Sequence, residues 1–329
     1  MKVAFKFAAV AILSASAFAS AHAADYTMRL SHQLPASHHV AKALEQFAED
    51  VKTNTSGQVE VQLFGGEQLF KGTQNHAAVA RGQVEAASVV SLLWGGTVPE
   101  VQVFSIPYLM TSREKINNFY GSDAAKLLNE KLQQKGVTNI AWLLDANNAT
   151  FTSQKHPLIA PEDFKGVKIR GLSRLSDVGF IALGAAPSTM PGSEVYQGLQ
   201  TGVIDAGVSS ASAVYARRYY EVQKYAVATP LLTVFQNLIV NPRWWASLPA
   251  DVQAGVAKAA QSAEQTLLPK SDAVDPEGVA KLETVGMVVT VHTPEQIQAL
   301  ERVMQPPVIE EFQKTTADGQ KLIEMIKQL

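Results

Sequence analysis

Arg170 stands where a short apolar strand, Val167-Lys168-Ile169-Arg170, runs out into Gly171. In open α/β sheets ligands bind beyond the carboxyl ends of strands, so a guanidinium held there is a candidate receptor for a carboxylate or phosphate. Strand position alone leaves an exposed strand-end arginine equally open. Arg174, about one helical turn further on, either faces the same cleft or sits in water. His32 and Gln33 are candidate hydrogen-bonding groups at the end of the first strand, with ordinary loop polarity as the alternative. Trp94, in Ser91-Leu92-Leu93-Trp94-Gly95-Gly96, suits either one flat wall of a ligand pocket or plain core packing.

The chemistry of turnover is harder to find. No glycines are spaced as G-x-G, no glycine-rich loop ends in Gly-Lys-Ser/Thr, and there is neither a G-x-S-x-G elbow nor an H-E-x-x-H helix. His32, His38 and His39 form one histidine cluster that could in principle take zinc or copper. Neighbouring residues of a helix point in different directions, so no metal site, cofactor or catalytic residue is expected. Arg217 and Arg218, followed by two tyrosines, read as a solvated helix face.

The elements that must position these residues alternate. Tyr26 to Leu30 reads as a strand, and Ala41, Leu44, Phe47 and Val51 recur at helical spacing until Gly57. Further strands are expected at Val59 to Leu63, Ala86 to Leu92 and Val137 to Leu144, with helices between them, which predicts βαβ units and a mainly parallel sheet. A second set holds Arg170: strand Val167 to Arg170, helix Ser173 to Leu183, helix Ser193 to Gln200 capped by Ser193, and strand Val203 to Val208. Leu231 to Val240 is another strand, and Pro249 opens a long helix that Pro269 and Pro276 should kink or segment.

Lys2 and Lys6, an apolar run from Phe7 to Ala19 and the ending Ala21-His22-Ala23 predict a cleaved secretory signal peptide and a periplasmic address. Loss of the two lysines moves the formal charge from -2 to -4, too mild to suggest nucleic acid as a partner. With no cysteine, disulfides, thiolate metal sites and cysteine nucleophiles are excluded.

Several segments in order resemble the solute-binding proteins of tripartite ATP-independent periplasmic (TRAP) transporters. They are Leu30-Ser31-His32-Gln33-Leu34-Pro35, Thr55-Ser56-Gly57-Gln58-Val59-Glu60-Val61, Ile106-Pro107-Tyr108-Leu109, the stretch Pro161 to Gly207, and Asn241-Pro242-Arg243-Trp244-Trp245. The resemblance implies a bilobal α/β periplasmic binding protein, type II-like, with crossing strands and a long bridging helix. Domain I is expected over 24–146 plus about 236–275, and domain II over 147–235 plus about 276–329, with the ligand cleft between. The family's arginine that holds the ligand carboxylate maps onto Arg170. Two departures qualify the match: Thr150 stands where sialic-acid-binding members carry a second arginine, and Ser209 where they carry asparagine. Both argue against sialic acid, and a smaller or more apolar monocarboxylate suits Trp94, Phe235 and a single arginine. Asn147 and Asn237 complete the candidate ligand-binding residues. The implied role is a monomeric receptor that delivers an organic acid to the large and small membrane subunits. A ligand sensor for a signalling receptor, or an enzyme on the same fold, are the alternatives.

Overall fold

The computed structural model describes residues 24–329, apart from the side chains of 269–276. The expected signal peptide lies outside the described residues. The first run of elements is β1 (Tyr26–His32), α1 (His39–Asn54), β2 (Val59–Phe64), α2 (Asn75–Ala80), β3 (Ala86–Val90), α3 (Arg113–Phe119), α4 (Asp123–Gln134) and β4 (Thr138–Ala146). The second is β5 (Ala149–Ser153), β6 (Lys168–Gly171), α5 (Arg174–Ala182), β7 (Ala186–Thr189), α6 (Val195–Gln200), β8 (Ala206–Ser209), α7 (Ala211–Ala216) and β9 (Tyr225–Thr229). The chain closes with β10 (Val234–Val240), α8 (Pro242–Ser247), α9 (Ala250–Thr284), β11 (Val288–Val291), α10 (Pro294–Thr315) and α11 (Gly319–Lys327).

These strands form two sheets, ordered β2-β1-β3-β10-β4 and β11-β9-β5-β8-β6-β7. The chain is therefore a bilobal α/β protein. It passes between the sheets from β4 to β5 and returns from β9 to β10. Both crossing strands that follow run antiparallel to their new neighbours: β10 to β3 and β4, β5 to β8 and β9. The remaining pairs are parallel, and β3 is buried along its whole length, as expected of a strand covered on both faces.

α1 shows how local sequence sets the frame. His38 caps it in extended conformation, its Nδ1 accepting from the Val40 amide at 3.3 Å, and Val40, Ala41, Leu44, Phe47 and Val51 recur at three- and four-residue intervals on its buried face. Val252, Val256, Ala259, Ala260, Ala263 and Leu267 of α9 join the same apolar cluster.

Three local expectations meet a different outcome. α6 begins at Val195 behind Glu194, which makes no side-chain cap, so Ser193 is not the capping residue. α9 is one uninterrupted 35-residue helix, so the prolines do not segment it. The third concerns the C-terminal segment: Leu300 and Met304 of α10 pack in the second lobe's core, whereas Val308 and Phe312 further along it, and Leu322, Ile323 and Ile326 of α11, lie in the first lobe's aromatic core. Residues 276–329 thus span both lobes rather than belonging wholly to the second. An amphipathic helix specifies that it has an apolar face but not which lobe covers that face.

β4 is an edge strand, and its exposed backbone is capped from outside the sheet. Glu264 of α9 accepts the Trp142 amide at 2.6 Å, and the Tyr120 hydroxyl donates to the Trp142 carbonyl at 3.0 Å. Burial pushes the Glu264 carboxyl up to about 7, with the Trp142 hydrogen bond opposing it. A carboxyl whose folded-state pKa exceeds its unfolded value holds its proton longer in the folded protein. Its stabilising contribution is complete below about pH 4.5 and is lost as pH rises through about 7. The decline should reach at most ~3 kcal/mol. Glu264→Gln keeps the acceptor and should flatten this part of a urea-stability profile, and an unchanged slope would show that Glu264 is not its source.

Candidate functional site

Arg170 is the third residue of β6, where the strand's inward face meets the cleft between the lobes. Arg170 is 6% exposed. Nη1 donates to the Val208 carbonyl of the neighbouring β8 at 2.6 Å, and Nε donates to the Met190 carbonyl after β7 at 3.3 Å. The two bonds fix the plane of the fork and leave Nη2 for a ligand. Burial lowers its pKa to about 10, so the cation persists at neutral pH. Asp177 supports the turn beneath it, accepting from the Leu172 amide at 3.0 Å and from the Thr189 hydroxyl. Gly171 is needed there, since a Cβ would stand 2.3 Å from Asp177 Oδ2.

The cavity in front of Arg170 has a volume of about 80 Å³ and is walled by both lobes. The second lobe supplies Arg170, Ser209, Ser210 and Arg217; the first supplies Gln33, His38, Asp145 and Gln236. Asp145, near the end of β4, accepts from Gln236 Nε2 at 2.7 Å, and its other oxygen stands 3.5 Å from His38 Nε2 and 4.0 Å from His39 Nε2. Burial pushes His38 down to about 4 against the pull of Asp145, so its ring is neutral at pH 7. Because Nδ1 accepts from Val40, the ring proton is assigned to Nε2 and points toward Asp145. Among the described residues, neither Arg170 nor Arg217 has a carboxylate within 4.0 Å.

His38 and His39 do not diverge as helical neighbours would. His38 lies before the first helical turn, and the rings stack at 4.6 Å with 26° between planes. With Asp145 they form the one group among the described residues with ligand atoms close enough to approach a single cation, all within 4.8 Å. That spread exceeds the roughly 4 Å across a compact shell of nitrogen and oxygen ligands, and His38 offers a proton rather than a lone pair. The arrangement fits a hydrogen-bonded carboxylate better than a metal.

Residues 30–315 match the model of the bacterial extracellular solute-binding protein family 7, DctP. The chain belongs to that family. A C4-dicarboxylate-binding periplasmic protein, DctP, of Rhodobacter capsulatus is 32% identical over 249 residues, 75% of this chain and 74% of that one. A TRAP periplasmic solute-binding protein of Sulfurospirillum deleyianum with bound succinate superposes with a TM-score of 0.85 at 26% identity, covering 92% of this chain and 99% of the other. A Bordetella pertussis extracytoplasmic solute receptor binding pyroglutamic acid gives 0.83 at 25% identity, with 92% and 99% covered. The family is one of transport solute-binding proteins found outside the cytoplasm, and among the described residues no helix is long and apolar enough to cross a membrane.

Within this DctP-family fold the sequence candidates divide. Arg170, Gln33 and Ser209 meet around the cavity. Arg174 lines an adjoining cleft of about 600 Å³, behind a wall of Leu92, Leu93, Leu172, Met190 and Pro191 shared with the inner cavity. Trp94 is fully buried in the core, its indole N–H donating to Asn237 Oδ1 at 3.0 Å. Phe235 is fully buried among Phe104, Phe119 and Trp142. Strand alternation explains the miss: Gln236 faces the cavity, so Phe235 and Asn237 cannot. Thr150 is likewise buried behind Ala149, which lines the cavity, and Asn148 lines it where Asn147 does not. The His32 ring lies against Gly65, where a Cβ would stand 2.7 Å from it. Asp145, Gln236, Asn148 and Arg217 also line the cavity, as does His38, which the sequence offers only as part of a histidine cluster. The signals for Asp145 and Gln236 are a carboxylate after Leu143-Leu144 and an amide pair, Gln236-Asn237, inside an apolar strand; Arg217 gives none.

Proposed function

We propose that the chain is the receptor of a TRAP transporter, closing over a small organic anion with a single carboxylate held by Arg170 and delivering it to the membrane permease subunits. The observation that carries this reading is a buried guanidinium that, among the described residues, has no carboxylate within 4.0 Å and faces a cavity between two lobes. A buried cation without a counter-ion is costly, and a ligand carboxylate supplies the missing charge with charge-assisted hydrogen bonds of roughly 1.5 to 3 kcal/mol each. Succinate and pyroglutamic acid, bound by the solved relatives, support a cargo of similar size. A thermal-shift screen of small organic acids tests the proposal. A true cargo at about a hundred times its dissociation constant should stabilise the protein by roughly 2.7 kcal/mol. If only uncharged or cationic solutes raise the melting temperature, the anion reading fails.

A further inference from the structure

We propose that Asp145 restricts this receptor to monoanionic acids that carry an N–H or O–H donor at the end away from the carboxylate, and that it excludes dicarboxylates. The inference rests on the reading that Arg170 takes the ligand carboxylate. Three charged side chains line the cavity: Arg170 and Arg217 from the second lobe and Asp145 from the first. The Arg217 guanidinium lies against Gly192, another lining residue, where a Cβ would stand 2.6 Å from Nη1. With His38 neutral, the side chains that line the cavity carry one positive charge in excess, Asp145 offsetting one arginine; Asp177 lies outside the lining, its oxygens taken by the Leu172 amide and the Thr189 hydroxyl. Without Asp145 the same cavity would hold two unbalanced cations and suit a dianion.

The first lobe's wall carries a carboxylate. Asp145 is held with one oxygen on the Gln236 amide at 2.7 Å and has lone pairs left over on both oxygens. A ligand carboxylate reaching Asp145 would meet a like charge in a dehydrated cleft, whereas an amide or hydroxyl of equal size would find an acceptor already held in place by Gln236. The relative named for C4-dicarboxylates would differ from this chain in cargo despite its shared fold.

Acid and amide pairs of equal size isolate the effect: malonate and malonamate, succinate and succinamate, glutarate and glutaramate. Calorimetry on the whole mature chain should show at least tenfold tighter binding of the monoamide than of its dicarboxylate partner for the pair of best length. Asp145→Asn, which retains an acceptor for Gln236, should reverse that order, and Asp145→Ser should at least abolish it. Tighter binding of the dicarboxylate by the wild type, an unchanged ratio in both folded variants, or no binding of any of the six acids overturns the proposal. Arg170→Ala separates the two readings. If it keeps wild-type affinity, the carboxylate anchor itself is wrong; if it loses binding while the Asp145 variants leave the ratio unchanged, only the role of Asp145 falls.

Discussion

Arg170→Ala should weaken binding of the organic-acid cargo by about 30-fold to several-thousand-fold in calorimetry, a loss of about 2–5 kcal/mol. The size of the effect follows from where the charge sits. At an exposed position the same ion pair would contribute at most about 1 kcal/mol, because water screens it and both side chains must be ordered. Arg170 is already ordered by its bonds to the Val208 and Met190 carbonyls, and it is already dehydrated. Truncation therefore strands the ligand carboxylate in a cavity that has lost one of its two cations. Arg170→Lys should also bind weakly, by more than tenfold, since one ammonium cannot hold both carbonyls and still present a donor to the ligand. In the unliganded protein the loss of two hydrogen bonds and the relief of an unpaired buried cation oppose one another. The melting temperature should consequently change far less than the affinity. Wild-type affinity in the alanine variant, or a collapse of stability equal to the loss of binding, would remove Arg170 from the site.

The contrast between Arg170 and its neighbours shows what a single chain discloses. A lone cation ending an apolar strand is conspicuous, and its backbone position alone carries it to the cleft. The alternation of strands and helices is also plain, because hydrophobic periodicity is a local property: all five strands of the first sheet are legible within a few residues, but of the second sheet's six only β6 and β8 are. Which residue of a crossing strand faces the ligand is another matter. Val234 to Val240 is buried on both faces, so periodicity offers no polar side to mark the cleft, and the pairing of β10 with β4 carries two register shifts. His38 and Asp145, 107 residues apart, meet only because α1 and β4 lie in the same lobe. Arg217 closes the cavity because α7 ends there, directly after the strand that accepts the Arg170 hydrogen bond. Long-range meetings of this kind leave no trace in spacing.

Phe235→Ala should cost about 3–5 kcal/mol of stability while leaving the dissociation constant of the folded protein within about threefold of wild type. Phe235 is fully buried, its ring 5.0 Å from that of Phe104 and 5.3 Å from that of Phe119, so truncation opens a cavity in a rigid aromatic cluster that cannot collapse to fill it. One residue on, Gln236→Ala should behave in the opposite way. It removes the amide that holds Asp145 and a side chain that lines the cavity, yet no part of the aromatic core. Affinity and selectivity should shift severalfold with about 1.5–3 kcal/mol of lost stability, the scale for a hydrogen bond to a charged group. Equilibrium unfolding in urea and calorimetry on the same two variants decide the register of β10. If Phe235→Ala lost binding and kept its stability, the ring would face the ligand, and the strand's alternation would be out of phase with the one described. The opposing behaviour of two adjacent residues is the direct consequence of a strand that serves as core on one face and as cleft wall on the other.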